Sequence, residues 1–282
     1  VTAVRHLLDA IKFEHTVFAL PFAYVAMVLA ADGWPGWRTL LWVTLAMAGA
    51  RTLAMAVNRL ADRFIDAANP RTARRHLPAG LLTPAQVAGA AAAAGALLLL
   101  SAYMLNPLCL ALAPLAVLFL VGYSYTKRFT WLSHWILGFT DGIAAAGGWI
   151  AVRGAFAPPV YVLWFALTVW IAGFDLIYAC QDVEFDREHR LHSVPARFGI
   201  PAALITARVC HGLTIAAFAL LGWMMGLGWL YWLGVAVVAG LLVYEHSLVS
   251  PNDLSRLDVA FFNVNGYIAV ILFLSVIAGR LA

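Results

Sequence analysis

Apolar residues run along this chain in blocks of about 18 to 24, the length a helix needs to cross a hydrocarbon core of roughly 30 Å. Nine such blocks are predicted, near residues 14–31, 38–60, 84–105, 107–125, 132–152, 159–180, 201–222, 226–245 and 258–279. The first follows Arg5 and Lys12 and ends in small residues, as a signal peptide does. Eight more blocks come after it, so it reads as an uncleaved first helix. The chain opens on Val1 and not on methionine, which suggests trimmed numbering.

Composition agrees with the pattern. Of 282 residues, 63% are apolar and 11% charged, and the mean hydropathy is +0.86. Soluble domains carry roughly 25% charged residues, so a soluble globular fold is excluded. The basic residues are unevenly shared among the loops. Of the 18 lysines and arginines, thirteen fall on one side of the predicted spans, while Arg38, Arg153 and Arg280 fall on the other. Arg51 and Arg208 sit inside spans. By the positive-inside rule the N-terminus and the charged loops face the cytoplasm of a cell membrane. The net charge of +4 reflects this asymmetry and does not point to nucleic acid. The three cysteines, Cys109, Cys180 and Cys210, are isolated in apolar spans, where neither a disulfide nor a thiolate metal site is expected.

Against this background one stretch stands out: "NRLADRFIDAANPRTARRHLPAG", residues 58–80, with two aspartates and five arginines. A weaker copy lies about 120 residues later, "YACQDVEFDREHRLHSVPARFGIPAAL", residues 178–204. Asn58, Asp62 and Asp66 are four apart, and so are Tyr178, Asp182 and Asp186. Each set leaves the cytoplasmic end of a span, enters a charged loop and meets two prolines six residues apart, Pro78 and Pro84 or Pro195 and Pro201. The second proline of each pair opens the next span, where a missing N–H costs nothing. The expected architecture is a single transmembrane domain, 1–282, with an internal pseudo-repeat at about 14–125 and 132–245. The fold class is all-α, a polytopic membrane protein with about nine transmembrane helices in two related bundles around a central cavity.

Residues four apart on a helix differ by ~40° around the axis and ~6 Å along it. Asn58, Asp62 and Asp66 therefore make one ladder of oxygens, and Asp182 and Asp186 make another. Glu184, at i+2, turns away. Ionisable groups so close to a bilayer are costly and point to function. Four converging carboxylates repel unless cations fill the space between them, and hard oxygen ligands without His or Cys select Mg2+. Two such ions offset four aspartates, and the surrounding bases then favour an anionic ligand such as a diphosphate.

Other groups have two readings each. Arg51 lies two turns deeper than Asn58, where a guanidinium needs an anionic partner; that partner is a ligand carboxylate or a structural acid. Asp175 lies equally deep before Asp182, so the two line an aromatic pocket or pair. Arg71, Arg74 and Arg75 cap the diphosphate or contact anionic lipid. Asp141 stands beside glycines that permit close helix contact. Tyr178 can present its ring face to a cation. The eight histidines form no credible site.

The pattern Asn-x₃-Asp-x₃-Asp, then "NPRTARRHLPAG", then the distant Asp-x₃-Asp, resembles the UbiA-type intramembrane prenyltransferases over essentially the whole chain. "NPRT" and "HSVPARFG" look most like the branch acting on hydroxybenzoates in ubiquinone and menaquinone assembly. The resemblance implies transfer of a prenyl chain from a polyprenyl diphosphate to an aromatic acid. It implies metal-diphosphate ligation by Asn58, Asp62, Asp66, Asp182 and Asp186, and diphosphate binding by Tyr123 and Lys127. It also implies that Arg51 takes the acceptor's carboxylate.

The chemistry fits a site in the bilayer, which keeps water from an allylic cation and houses the prenyl tail among lipid-facing helices. Metal and cationic groups stabilise the departing diphosphate, and Asp182 is the favoured base for the phenol. Alternatives are a related prenyltransferase acting on haem, chlorophyllide or a glycerol phosphate lipid, and a secondary transporter. Transporters place their acids at mid-bilayer, whereas these stand at the cytoplasmic ends. A CDP-alcohol phosphotransferase needs a DxxDGxxAR-type run, which the chain lacks.

Overall fold

The computed structural model describes residues 2–10 and 16–281, with side chains from residue 6 onward except at 16–19, 261 and 262. Lys12 and the start of the first predicted span lie outside the described residues, as does the Arg5 side chain. Among the described residues all regular structure is helical apart from an isolated bridge between Ser250 and Asp253. The helices are α1 (Thr2–Ala10), α2 (Thr16–Ala31), α3 (Trp37–Ala68), α4 (Pro84–Leu105), α5 (Pro107–Thr126) and α6 (Ser133–Arg153). They continue as α7 (Pro158–Ala179), α8 (Val183–Glu188), α9 (Val194–Phe198), α10 (Ile200–Met225), α11 (Trp229–Ser247) and α12 (Asn265–Leu281). A 3₁₀ turn, Cys180–Asp182, joins α7 to α8, and a π turn, Val259–Val264, leads into α12.

Among the described residues, seven helices are long and apolar enough to cross a membrane, counting Pro158–Glu188 as one, and Leu20–Ala31 and Asn265–Leu281 are shorter apolar helices. The protein is a multi-pass helical membrane protein. Its nine predicted spans correspond to seven full-length helices and two shorter ones.

The chain divides into two compact units, Val1–Leu20 with Trp37–Tyr125, and Pro21–Gly36 with Thr126–Ala282. In the first unit α3 packs on α4, and Gly49 permits the approach: a Cβ there would stand 2.8 Å from the Ala94 carbonyl oxygen. Leu53, Ala54, Val87, Ala91 and Leu98 fill the contact. Thr83 caps α4 in a reciprocal pair with Gln86, and Pro84 occupies the first turn, where it lacks nothing. α3 runs on to Ala68, past the predicted end at residue 60. It stops where Pro70 disfavours the helical conformation of the residue before it and Asn69 Oδ1 accepts the Arg71 N–H at 3.0 Å. The first acidic set is thus carried on the helix itself.

The second unit is built on close helix crossings. Gly138 of α6 lies against the Thr168 backbone of α7, and Gly173 of α7 lies against the His211 ring of α10. Trp164 Nε1 donates to Phe139 O at 2.9 Å, and Tyr231 Oη of α11 donates to Phe218 O of α10 at 2.7 Å. Lipid tails are as apolar as leucine, so helices in a membrane associate through close packing and such hydrogen bonds. The 3₁₀ turn stands between Tyr178 and Asp186 in the second acidic stretch. At three residues per turn it advances each residue by ~20° more than an α-helix does. Tyr178 is therefore turned away from the line that joins Asp182 to Asp186. Even so, Asp182 and Asp186 are buried while Glu184 is exposed, the sense expected from its i+2 position.

The Gly138 contact can be tested directly. Gly138→Ala drives a methyl into the α7 backbone and should lower stability by about 2 kcal/mol. Gly147→Ala on the same helix, with nothing within 4 Å of the added carbon, should leave it unchanged. Thermal unfolding of both variants in detergent measures the difference.

Candidate functional site

In the first unit Asn58, Asp62 and Asp66 occupy the last turns of α3. Asn58 is oriented from both sides: its Nδ2 donates to Asp62 Oδ2 at 3.1 Å, and its Oδ1 accepts from Arg59 Nη1 at 3.3 Å. Arg59 is itself buried, and its Nε donates to the carbonyl of Ala10 at the end of α1, 3.0 Å away. Asp66 is 5% exposed. Arg75 Nη1 donates to its Oδ1 at 2.7 Å, and Thr72 Oγ1 donates to its backbone carbonyl at 3.0 Å. The loop after α3 is thereby folded back onto the helix end. Arg71 and Arg74 are exposed on that loop, and Arg75 is half-buried. Arg51 is half-buried two turns up α3. Tyr123, near the end of α5, is half-buried against the unit's apolar cluster.

In the second unit Asp182 is buried in the 3₁₀ turn, and Asp186, on α8, is 0% exposed. Lys127 Nζ lies 2.8 Å from Asp186 Oδ1, and Ser193 Oγ donates to Oδ2 at 2.9 Å. The surrounding backbone is tied to the same pair. Leu191 N–H donates to Asp186 O at 2.8 Å, and His192 N–H donates to Lys127 O at 2.7 Å. Ser193 also caps α9, accepting the Ala196 N–H at 3.3 Å. Deeper on α7, Asp175 Oδ2 stands 2.7 Å from Nδ1 of His134 on α6. His134 Nε2 in turn accepts the Val194 N–H at 3.3 Å. Tyr178 is half-buried one turn before Asp182, and Asp141 is half-buried between Gly138 and Gly142.

The structure thus brings Asn58 to Asp62, Asp66 to Arg75, and Asp186 to Lys127. It gives Asp175 a histidine partner that sequence reasoning did not single out. Arg59 and Ser193 were also missed as parts of the site. Arg59 carried a signal, a guanidinium one residue after Asn58 on a helix that buries that face. Ser193 carried none, because its contact with Asp186 depends on the turn between α8 and α9.

The donor set suits a hard divalent cation. The candidate donors are carboxylate and amide oxygens, and Asp66 Oδ2 is buried with no hydrogen-bond partner. Among the described residues, no three His, Cys, Asp or Glu side chains gather as a ready-made metal cage. Mg2+ seldom uses one, since it keeps waters and takes one or two carboxylates plus substrate phosphate.

The sequence matches the UbiA prenyltransferase family over residues 19–274. A 4-hydroxybenzoate octaprenyltransferase of Vibrio campbellii is 29% identical, over 88% of this chain and 86% of that protein. The apo structure of a UbiA homolog from Aeropyrum pernix K1 superimposes with a TM-score of 0.87 at 32% identity, covering 94% of this chain and 98% of the other. A UbiA homolog from Archaeoglobus fulgidus, bound to GPP and Mg2+, shares the fold with a TM-score of 0.70 at 18% identity, covering 97% and 99%.

Lys127→Ala leaves a fully buried carboxylate without its cation. It should lower stability by about 2 kcal/mol, below the usual cost of a broken buried pair because Lys127 is 38% exposed to screening solvent. Adding Asp186→Asn should restore most of the loss, as read from unfolding temperatures in detergent.

Proposed function

This chain belongs to the UbiA prenyltransferase family and is a prenyltransferase, and from that premise we propose that its acceptor is 4-hydroxybenzoate or a similar hydroxybenzoate, prenylated from a polyprenyl diphosphate in ubiquinone or menaquinone biosynthesis. The observation that carries this reading is common to the two acidic sets. Each contains a buried aspartate, Asp66 or Asp186, held by a base from a neighbouring loop, Arg75 or Lys127. Such a grouping offers oxygens to a divalent metal and cations to a diphosphate. The names of the relatives add the hydroxybenzoate acceptor.

In this reading Asn58, Asp62 and Asp66 would hold Mg2+, and so would Asp182 and Asp186. When bound, the ion offsets the charge of the diphosphate and stabilises it as it departs. Lys127, Tyr123, Arg75 and Arg71 bind the diphosphate oxygens and keep the allylic carbon oriented. Arg51 pairs with the acceptor's carboxylate, with Asp175 and Tyr178 lining the pocket. The allylic C–O bond breaks with its electron pair leaving on the diphosphate. The resulting cation, faced by the Tyr178 ring, is attacked by the ring carbon beside the phenol. Asp182 takes the phenolic proton, the ring proton is then lost to the departed diphosphate, which restores aromaticity, and Asp182 returns its proton to the phenolate oxygen. The surrounding helices exclude the water that would quench the cation. The charged loops stand on the cytoplasmic side of the cell membrane, as the basic residues indicate, and the prenyl tail lies among the membrane helices.

Purified protein incubated with geranyl diphosphate, Mg2+ and a panel of aromatic acids should yield a prenylated hydroxybenzoate. EDTA should abolish the product and added Mg2+ should restore it. Asp62→Ala should lower kcat/KM by at least ~10²-fold; full activity in that variant overturns the reading. Arg51→Ala should raise the KM for the aromatic acid by about 10- to 100-fold, the worth of a charge-assisted hydrogen bond. The KM for the prenyl diphosphate should be little affected.

A further inference from the structure

We propose that His134 is a positioning residue: a neutral imidazole, protonated on Nδ1, that fixes Asp175 and the segment backing Asp186 at the same time. The assignment of its proton stands on hydrogen bonding alone. The significance of Asp175 and Asp186 rests on the function proposed above.

His134 is 2% exposed and sits in the first turn of α6. Both ring nitrogens are engaged. A backbone N–H can only donate, so the Val194 N–H at 3.3 Å requires a lone pair on Nε2. The single proton of the neutral ring must then lie on Nδ1, where it is donated to Asp175 Oδ2 at 2.7 Å. An imidazolium would turn a second N–H toward Val194 N–H. The opposite tautomer would do the same and also set a nitrogen lone pair against the Asp175 carboxylate. The two contacts select one protonation state.

The second contact reaches the acidic motif. Val194 opens α9, and its N–H is among those that a helix start leaves without a partner in its own helix. His134 supplies that partner. The preceding residue, Ser193, is 0% exposed and donates to Asp186 Oδ2 at 2.9 Å. Asp186 takes Lys127 on its other oxygen. A chain of contacts therefore runs from Asp175 through His134, Val194 and Ser193 to Asp186 and Lys127, all within the second unit. His134 touches no reacting atom in this scheme. It sets the orientation of one acid directly and of another through a single turn of backbone.

Two substitutions separate the two contacts. The Asn amide N–H falls near the place of Nδ1, so His134→Asn keeps the donor to Asp175 and loses the acceptor for Val194. The Gln side chain reaches the place of Nε2, so His134→Gln keeps the acceptor and loses the donor. In the full-length protein in detergent, amide hydrogen exchange across residues 191–198 should be faster in His134→Asn and near wild type in His134→Gln. ¹⁵N spectra of histidine-labelled protein should show that the resonance missing from His134→Gln carries its proton on Nδ1. With turnover, His134→Gln should raise the KM for the hydroxybenzoate about tenfold, a charge-assisted hydrogen bond's worth, and His134→Asn should restore it. An Nε2-protonated resonance, or unchanged exchange in both variants, overturns the proposal. Because exchange and spectra need no turnover, an inactive wild-type protein would count against the prenyl-transfer reading and leave this one standing on its own data.

Discussion

A carboxylate moved out of water at the edge of a bilayer costs several kcal/mol unless a cation and hydrogen bonds replace its hydration. Both acidic sets of this protein meet that requirement in the same way. Asp66 is met by Arg75, and Asp186 by Lys127 and the Ser193 hydroxyl. The loops bearing these groups are fixed by the same contacts: Thr72 bonds the carbonyl of Asp66, and His192 bonds the carbonyl of Lys127. Acid orientation, helix end and loop conformation are therefore one linked problem in each unit. A loop that lost its place would leave a buried charge uncompensated, which holds the loop in place.

The helices that carry these groups need a rigid frame, and the frame is made of small residues. Where the solvent is hydrocarbon, burying a leucine gains little, and close backbone approach with side-chain hydrogen bonds supplies the cohesion. Gly49 against Ala94, Gly138 against Thr168 and Gly173 against His211 are such approaches. They fix the rotation of α3 against α4 and of α7 against α6 and α10, and so decide which face of each helix carries its acids. The 3₁₀ turn after α7 then sets Asp182 apart from a simple continuation of that helix.

The polar groups near the acids are arranged in order and not merely collected. Asn58 is read from both sides by Asp62 and Arg59, and His134 by Asp175 and Val194. Each contact removes one freedom, an amide flip or a tautomer, from a group near the proposed chemistry. Hard oxygens for a metal, bases for a diphosphate and preset donors are what the proposed reaction requires, since preorganised groups need not move as charge develops.

The helical type and the approximate number of membrane spans were legible in the sequence because hydrophobic length and helical period are local properties. The same holds for Asn58, Asp62 and Asp66: a spacing of four on a helix places oxygens on one face wherever that helix lies. The end of α3 at Ala68 was not legible from the apolar run, nor was the 3₁₀ turn at Cys180–Asp182. Both depend on contacts made by the chain beyond the apolar run. Least visible were the partners. Arg59 finds Ala10 across 49 residues, and His134 finds Asp175 across 41. Sequence determined which acids stand four apart at the ends of apolar spans; only tertiary structure decided which charges are buried and what each faces, because that depends on the close approach of helices far apart in the chain.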